Sequence, residues 1–263
     1  MKHFWIVPAA MMASVAMAQN PPASRALPDA SVLIGDLVDA NRILARQGVL
    51  DGLGHISARS PTNPDHFYMA RAVAPGSVKI ADIAEFDLDG NPLTPGPRPY
   101  AERFIHAEIY RKRPDVNAIV HSHSPAVIPF SVSDKPLRPV QHTASFLGAS
   151  VPVFEIRSVE PLRTMLVTTP VAGKALADKL GTHAVILMRG HGDVVVASSI
   201  PGVVERAVFT ERNATAELQA LMLGGTIRYL GPEDDDPANS TVPVGRAWDG
   251  WRDDLKRDEP PSH

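Results

Sequence analysis

The stretch that most constrains this chain is Val116–Pro125, VNAIVHSHSP. Ala118-Ile119-Val120 is an unbroken apolar run rich in β-forming residues, and it reads as a buried strand. It leads straight into His121-Ser122-His123. Residues two apart in a strand point to the same face, so His121 and His123 present two imidazoles side by side at the strand's end. Ser124-Pro125 then reads as a helix N-cap with proline at the first helical position. The fold must bury the run while leaving open an end that carries half of a metal site.

The rest of the chain supplies the sheet and its cover. Asp29 to Gln47 has helical spacing, with Val32, Leu33, Leu37, Val38, Ile43 and Leu44 recurring on one side. Ile56 to Arg59 and His66 to Ala70 read as strands joined by the Pro61–Pro64 loop, and Ala84 to Leu88 as a third, closed by an Asp89-Gly90-Asn91 turn. Asn91 to Pro99 is proline-rich and irregular. Tyr100 to Lys112 is a helix with Pro114 just beyond its end. Val151 to Ile156, Ala184 to Met188 and Val194 to Ala197 read as strands. Ala172 to Leu180 and Pro201 to Leu223 read as helices, stopped by Gly181 and Gly224-Gly225. Strands alternating with helices predict an α/β sandwich around one central sheet.

Composition narrows the function. With 263 residues the chain is long enough for one large domain, and a net charge of -3 without a strongly basic stretch argues against nucleic acid as a partner. Cysteine is absent, so any metal must sit on His, Asp or Glu. Residues 1–18 stand apart: Lys2 and His3 precede an apolar run that ends Ala16-Met17-Ala18. That is the pattern of a secretory signal cleaved after Ala18, too short to span a membrane as a helix. It predicts export to a periplasm or beyond, with no membrane attachment once the signal is removed. Residues 19–28 read as a linker, 29–230 as the domain, and 231–263 as a C-terminal tail. In the tail, Arg246 to Trp251 is either a helix on a neighbouring subunit or one docked on its own domain.

His191, between Gly190 and Gly192, is the third candidate ligand, because flanking glycines permit a sharp turn and a close backbone approach. Two histidines from a strand end and a third from a turn leave a coordination position open for water or substrate. The expected ion is divalent, zinc first, with manganese, cobalt, magnesium or iron as alternatives. His66, His142 and His183 read as structural. His106 follows Glu102 by one helical turn and is either a fourth ligand or a partner behind the ligands.

Six landmarks together resemble the class II aldolase/adducin family: Gly54-His55-Ile56-Ser57-Ala58-Arg59, Ala74-Pro75-Gly76-Ser77, Glu102-x-x-x-His106, Arg113-Pro114-Asp115-Val116, His121-Ser122-His123 and Gly190-His191-Gly192. The resemblance runs from about Asp29 to Leu230. It implies a three-layer α/β/α sandwich with a central mixed sheet, a homo-oligomer, often a tetramer, and a divalent metal held by His121, His123 and His191. It further implies that Glu102 is the carboxylate beside the metal, which in the aldolases moves a proton. His55, Ser57, Gly76 and Ser77 fall in the stretches expected to line a substrate pocket.

The departures from the family pattern matter as much. The sugar-phosphate aldolases carry Asn at the position of His55 and phosphate-binding hydroxyl residues where this chain has Tyr100-Ala101. A phosphosugar is therefore disfavoured. GHISAR, His106-Ala-Glu-Ile-Tyr and Phe146-Leu-Gly resemble the decarboxylase branch, whose members act on carboxylated hydroxy-muconic semialdehydes or dihydroxyphthalate-like acids. The expectation is a metal-dependent carbon–carbon lyase, a decarboxylase of a small carboxylated enol or aromatic acid. Its rivals are retro-aldol cleavage of a non-phosphorylated hydroxy-oxo acid, a non-haem iron oxygenase on the same histidines, and a binding protein without turnover. Arg59 and Arg71 are candidates to hold the substrate carboxylate, since guanidinium pairs with carboxylate in two places at once. Surface charge is their rival reading. Tyr100 and Tyr229 are candidate proton donors, between which the sequence does not choose.

Overall fold

The structure is a computed structural model that describes residues 30–96, 98–159, 164–231 and 245–258. The expected leader over 1–18 and linker over 19–28 lie outside the described residues. The described strands are β1 (His55–Arg59), β2 (His66–Ala70), β3 (Ile83–Asp87), β4 (Ala118–Ser122), β5 (Val153–Phe154), β6 (Val185–Met188) and β7 (Gly192–Ala197). They form one sheet in the order β3-β2-β1-β4-β7-β6-β5. All neighbours pair antiparallel except β5 and β6, so the sheet is mixed. The apolar run after Asn117 takes the middle place, and every residue of β4 is buried.

Alternation along β4 explains the layers. Ala118 and Val120 face one way and pack with Leu37, Leu44, Val203 and Ala207. These come from α1 (Ala30–Arg46) and α5 (Ile200–Leu223). Ile119 faces the other way, towards Ile105, Ile109 and Leu176. These come from α2 (Arg103–Lys112) and α4 (Pro170–Leu180). A short helix, α3 (Ile128–Val132), buries Phe130 with the first group. The result is the expected three-layer α/β/α sandwich. Thr169 and Ser199 cap α4 and α5 by accepting from the backbone N–H of Ala172 and Gly202, each with proline in the first turn.

Three local expectations shift. Ser124 does not cap a helix with its side chain; its Oγ meets Ser122 Oγ at 2.8 Å, and α3 begins only at Ile128. The Val151–Ile156 strand contracts to Val153–Phe154, because Pro152 offers a carbonyl to Leu187 but has no N–H for a ladder. The tail contributes α6 (Arg246–Asp258), docked on its own chain. Trp248 is buried in the α1/α5 cluster, Arg252 pairs with Asp36 and Asp39, and Glu205 accepts from the backbone N–H of Gly245, Ala247 and Trp248. Among the described residues no helix is long and apolar enough to cross a membrane.

Candidate metal centre

Glu102, His121, His123 and His191 turn one ligand atom each into a common space, all within 4.8 Å of one another. His121 comes from the last turn of pairing on β4 and His123 from the residue just past it. His191 comes from the tight turn between β6 and β7, and Glu102 from the N-terminal end of α2. The turn depends on its glycines. Gly190 has φ of +67°, and a Cβ on Gly192 would lie 1.9 Å from the Ser122 carbonyl oxygen. Only a residue without a side chain lets the two strands close at the point where they deliver the histidines.

Each imidazole is aimed by its outer nitrogen. His121 Nδ1 donates to the Asp193 carbonyl at 2.9 Å, His123 Nδ1 to Asp51 Oδ2 at 2.9 Å, and His191 Nδ1 to the Met165 carbonyl at 3.1 Å. All three partners only accept, so each Nδ1 carries a proton and each ring turns its Nε2 inward. His123 Nε2 and His191 Nε2 stand 3.1 Å apart, and His121 Nε2 is buried without a hydrogen-bond partner. Two bare lone pairs at that distance repel, and either a shared proton or a metal cation between them relieves the repulsion. Tetrahedral zinc with bonds of about 2.0–2.1 Å would set its nitrogens roughly 3.4 Å apart, close to the observed spacing. Glu102 Oε2 completes the set, 3.5 Å from His121 Nε2 and 3.6 Å from His191 Nε2, while its Oε1 accepts from Val167 N–H at 2.8 Å. Three imidazoles fit a divalent ion in donor type, direction and spacing, with the Glu102 carboxylate beside it.

Electrostatics keep the charges apart. Burial alone would raise the Glu102 carboxyl, but its pairing with His121 holds it down at about 2, and Glu102 in turn raises His121 against its own burial, so without an ion a proton on His121 supplies the positive charge that a bound cation would replace. Glu102 is therefore a carboxylate at neutral pH. Burial lowers His191 to about 4, which keeps its ring neutral and fit to ligate. On the opposite face, burial pushes the Asp193 carboxyl up to about 7, where it accepts from Ser122 Oγ.

The other sequence candidates divide. His55 pairs with His121 in register on β1, and their ring centroids are 5.1 Å apart, so His55 borders the centre. Ser57 is buried on the same face, bonded to His106 Nδ1 at 2.6 Å and Tyr110 Oη at 2.8 Å. His106 is not among the converging ligands; its Nε2 meets His55 Nδ1 at 2.7 Å, so both its nitrogens are engaged. Arg59 lies at the far end of β1. Its guanidinium donates to the carbonyls of Pro64, Tyr110, Arg113 and Val116, which holds it away from the histidines. Arg71, level with His55 when the β1–β2 register is continued, binds Asp82 at 2.6 Å. Gly76 and Ser77 form a short 3-10 turn beside Ala45 of α1, and the structure brings neither into the cluster.

Neither tyrosine singled out as a proton donor is directed at the ligands. Tyr100 donates to the Val73 carbonyl, and burial pushes its phenol up to about 12; its ring packs on His55. Tyr229 bonds Glu217 and lies under the Arg138 guanidinium. Sequence reasoning missed Asp51, Asp193, Met165 and Val167, which orient the ligands. Asp51 gave a partial signal as a turn residue, since it accepts from the N–H groups of Leu53 and Gly54. The others act through backbone groups, which no residue type announces.

Residues 35–218 match the family described as Class II Aldolase and Adducin N-terminal domain. The chain is 38% identical over 208 residues to decarboxylase tropJ of Talaromyces stipitatus, covering 74% of this chain and 78% of that protein. It is 31% identical over 234 residues to 3,4-dihydroxyphthalate decarboxylase of Arthrobacter keyseri, covering 83% and 90%. An aldolase II superfamily protein from Pseudomonas syringae shares the fold, with a TM-score of 0.72 at 20% identity over 90% of this chain and 95% of that one.

Proposed function

Because the chain belongs to the class II aldolase/adducin family and is a carbon–carbon lyase, we propose that it removes CO2 from a small carboxylated catechol or enol, with 3,4-dihydroxyphthalate as the reference substrate. The observation that carries the reading is the inward convergence of three Nε2 atoms and Glu102 Oε2. His121, His123 and His191 hold the ion, and zinc leads among the metals their chemistry suits. A divalent ion held there supplies a Lewis acid for the negative charge that develops when a carbon–carbon bond breaks.

The chain's own residues supply the proton traffic. Glu102 enters as a carboxylate, with Oε1 fixed by Val167 N–H and Oε2 facing the substrate space. Oε2 accepts the proton of a substrate hydroxyl as the oxygen turns anionic. The carbon–carboxylate bond then breaks, its electron pair stays on the ring or enol carbon, and CO2 leaves. Oε2 returns the proton to that carbon, and the product oxygen recovers its own from water. A phosphosugar fits poorly, because Tyr100 stands in the sequence where the resemblance expects a phosphate-binding hydroxyl residue, and its own hydroxyl is tied to the Val73 carbonyl. The leader supports export, and the family supports a homo-oligomer, which we take to be a tetramer.

The test is CO2 release from 3,4-dihydroxyphthalate and related ortho-hydroxylated acids by zinc- or manganese-loaded protein. Release is expected, and Glu102→Gln should lower it by about a hundredfold or more while the metal stays bound. Pyruvate or an aldehyde from a hydroxy-oxo acid, without CO2 release, would replace this reading with retro-aldol cleavage. Substrate-dependent oxygen uptake by iron-loaded protein would replace it with oxygenation.

A further inference from the structure

A buried file of four polar side chains runs from α2 to the metal centre. Tyr110 Oη meets Ser57 Oγ at 2.8 Å, Ser57 Oγ meets His106 Nδ1 at 2.6 Å, and His106 Nε2 meets His55 Nδ1 at 2.7 Å. All four residues are at most 2% exposed. Both rings are buried and neither has a carboxylate as a hydrogen-bond partner, so a charge on either would be uncompensated and each ring is neutral with a single proton. Four groups then bring four protons to three links, and one proton must point out of the file.

Accounting for those protons fixes the direction. If His55 donates to His106 and His106 to Ser57, the proton of Ser57 or of Tyr110 is left over. Either would be stranded in the interior, since among the described residues these hydroxyls have no partners beyond the file. A stranded buried donor costs about 1–3 kcal/mol. In the other direction Tyr110 donates to Ser57, Ser57 to His106 Nδ1, and His106 Nε2–H to His55 Nδ1. Every interior proton then has an acceptor. The proton left over is on His55 Nε2, beside the His121 ring and against Tyr100.

We infer that His55 is a fixed Nε2–H donor that receives the substrate carboxylate at the metal centre, and that Tyr110, Ser57 and His106 are positioning residues that set its direction. The identity of the receiving group rests on the decarboxylase reading; the direction of the file does not. His55 takes the task expected of Arg59 and Arg71, of which Arg59 is committed to backbone carbonyls and Arg71 is paired through Nε with Asp82. The exchange has a chemical consequence. A full positive charge would stabilise the starting carboxylate far more than the neutral CO2 that leaves, and so resist the reaction. A neutral N–H orients the carboxylate with less of that penalty. It also disfavours a ligand that presents a hydrogen-bond donor at the same place.

Two measurements on zinc-loaded protein test this. Nitrogen-15 spectra of histidine-labelled protein read the tautomers directly, with His55→Gln and Ser57→Ala each serving to assign the signals. The expected result is Nε2–H for both His55 and His106, against Nδ1–H for the three ligands. An Nδ1–H tautomer at His55 would overturn the inference. The second measurement is the affinity, read before turnover, for 2,3-dihydroxybenzoate, whose carboxylate stands beside a catechol hydroxyl as the departing one does, and for catechol, which lacks it. His55→Phe should weaken 2,3-dihydroxybenzoate about tenfold or more and leave catechol nearly unchanged, and His55→Gln should recover much of the loss. Equal losses for both ligands would overturn the carboxylate assignment. Failure of wild-type protein to bind 2,3-dihydroxybenzoate would overturn the carboxylated-catechol reading and that assignment together, and the tautomers would still decide the donor.

Discussion

At the residue scale the centre is built by directing nitrogens. Three acceptors, two carbonyls and the Asp51 carboxylate, each claim an Nδ1 proton and so aim three Nε2 atoms at one point. Asp193 serves twice: its carbonyl orients His121, while its buried carboxyl faces the other side of the sheet. Its carboxyl rises from 3.8 unfolded to about 7 folded. The protonated form is therefore favoured by folding, and the group's contribution is full below about 4 and lost as pH rises through 7. Melting temperatures of metal-free wild type and Asp193→Asn should show it: the variant gains relative to wild type between pH 4 and pH 8. A constant difference across that range would contradict the assignment. Much of this was legible in the sequence, since strand alternation alone puts His121 and His123 on one face. The glycines around His191 likewise announced a close approach. The commitment of Arg59 was not legible, because four backbone carbonyls distant in the chain decide it.

At the element scale β4 organises the molecule. Its apolar residues alternate between two helix layers, and its end carries the ligands. Element types followed from apolar runs and spacing. Boundaries moved where backbone groups ruled: α2 begins at Arg103 rather than Tyr100, and β5 shrinks beside Pro152. The C-terminal helix was readable as a helix, but its docking depends on Glu205 and the Arg252 ion pairs, which span most of the chain. Trp248 is its anchor, 3% exposed. Trp248→Ala should cost about 3–5 kcal/mol in chemical denaturation. The metal content should be unchanged, because the anchor packs on the α1/α5 side and the ligands face α2. A loss below about 1 kcal/mol would mean that α6 contributes little to its own domain.

At the scale of the whole molecule, apolar side chains remain on the surface. Met222 and Leu223 at the end of α5 are both 87% exposed, and Val171 at the start of α4 is 63% exposed. Such residues are consistent with contacts between copies. Expressed from Met1 in a bacterial host, the protein should appear in the periplasmic fraction beginning at Gln19 and show the mass of four chains by light scattering. Retention in the cytoplasm with Met1 in place would remove the export proposal, and a monomer the tetramer. The metal centre itself is tested by metal analysis of the purified protein, made without an affinity histidine tag or added metal. About one divalent ion per chain is expected, lost when His121 and His123 are both replaced by alanine in a protein that still folds. A metal-free wild type that takes up no zinc, manganese, cobalt or iron on titration would overturn the assignment of the centre.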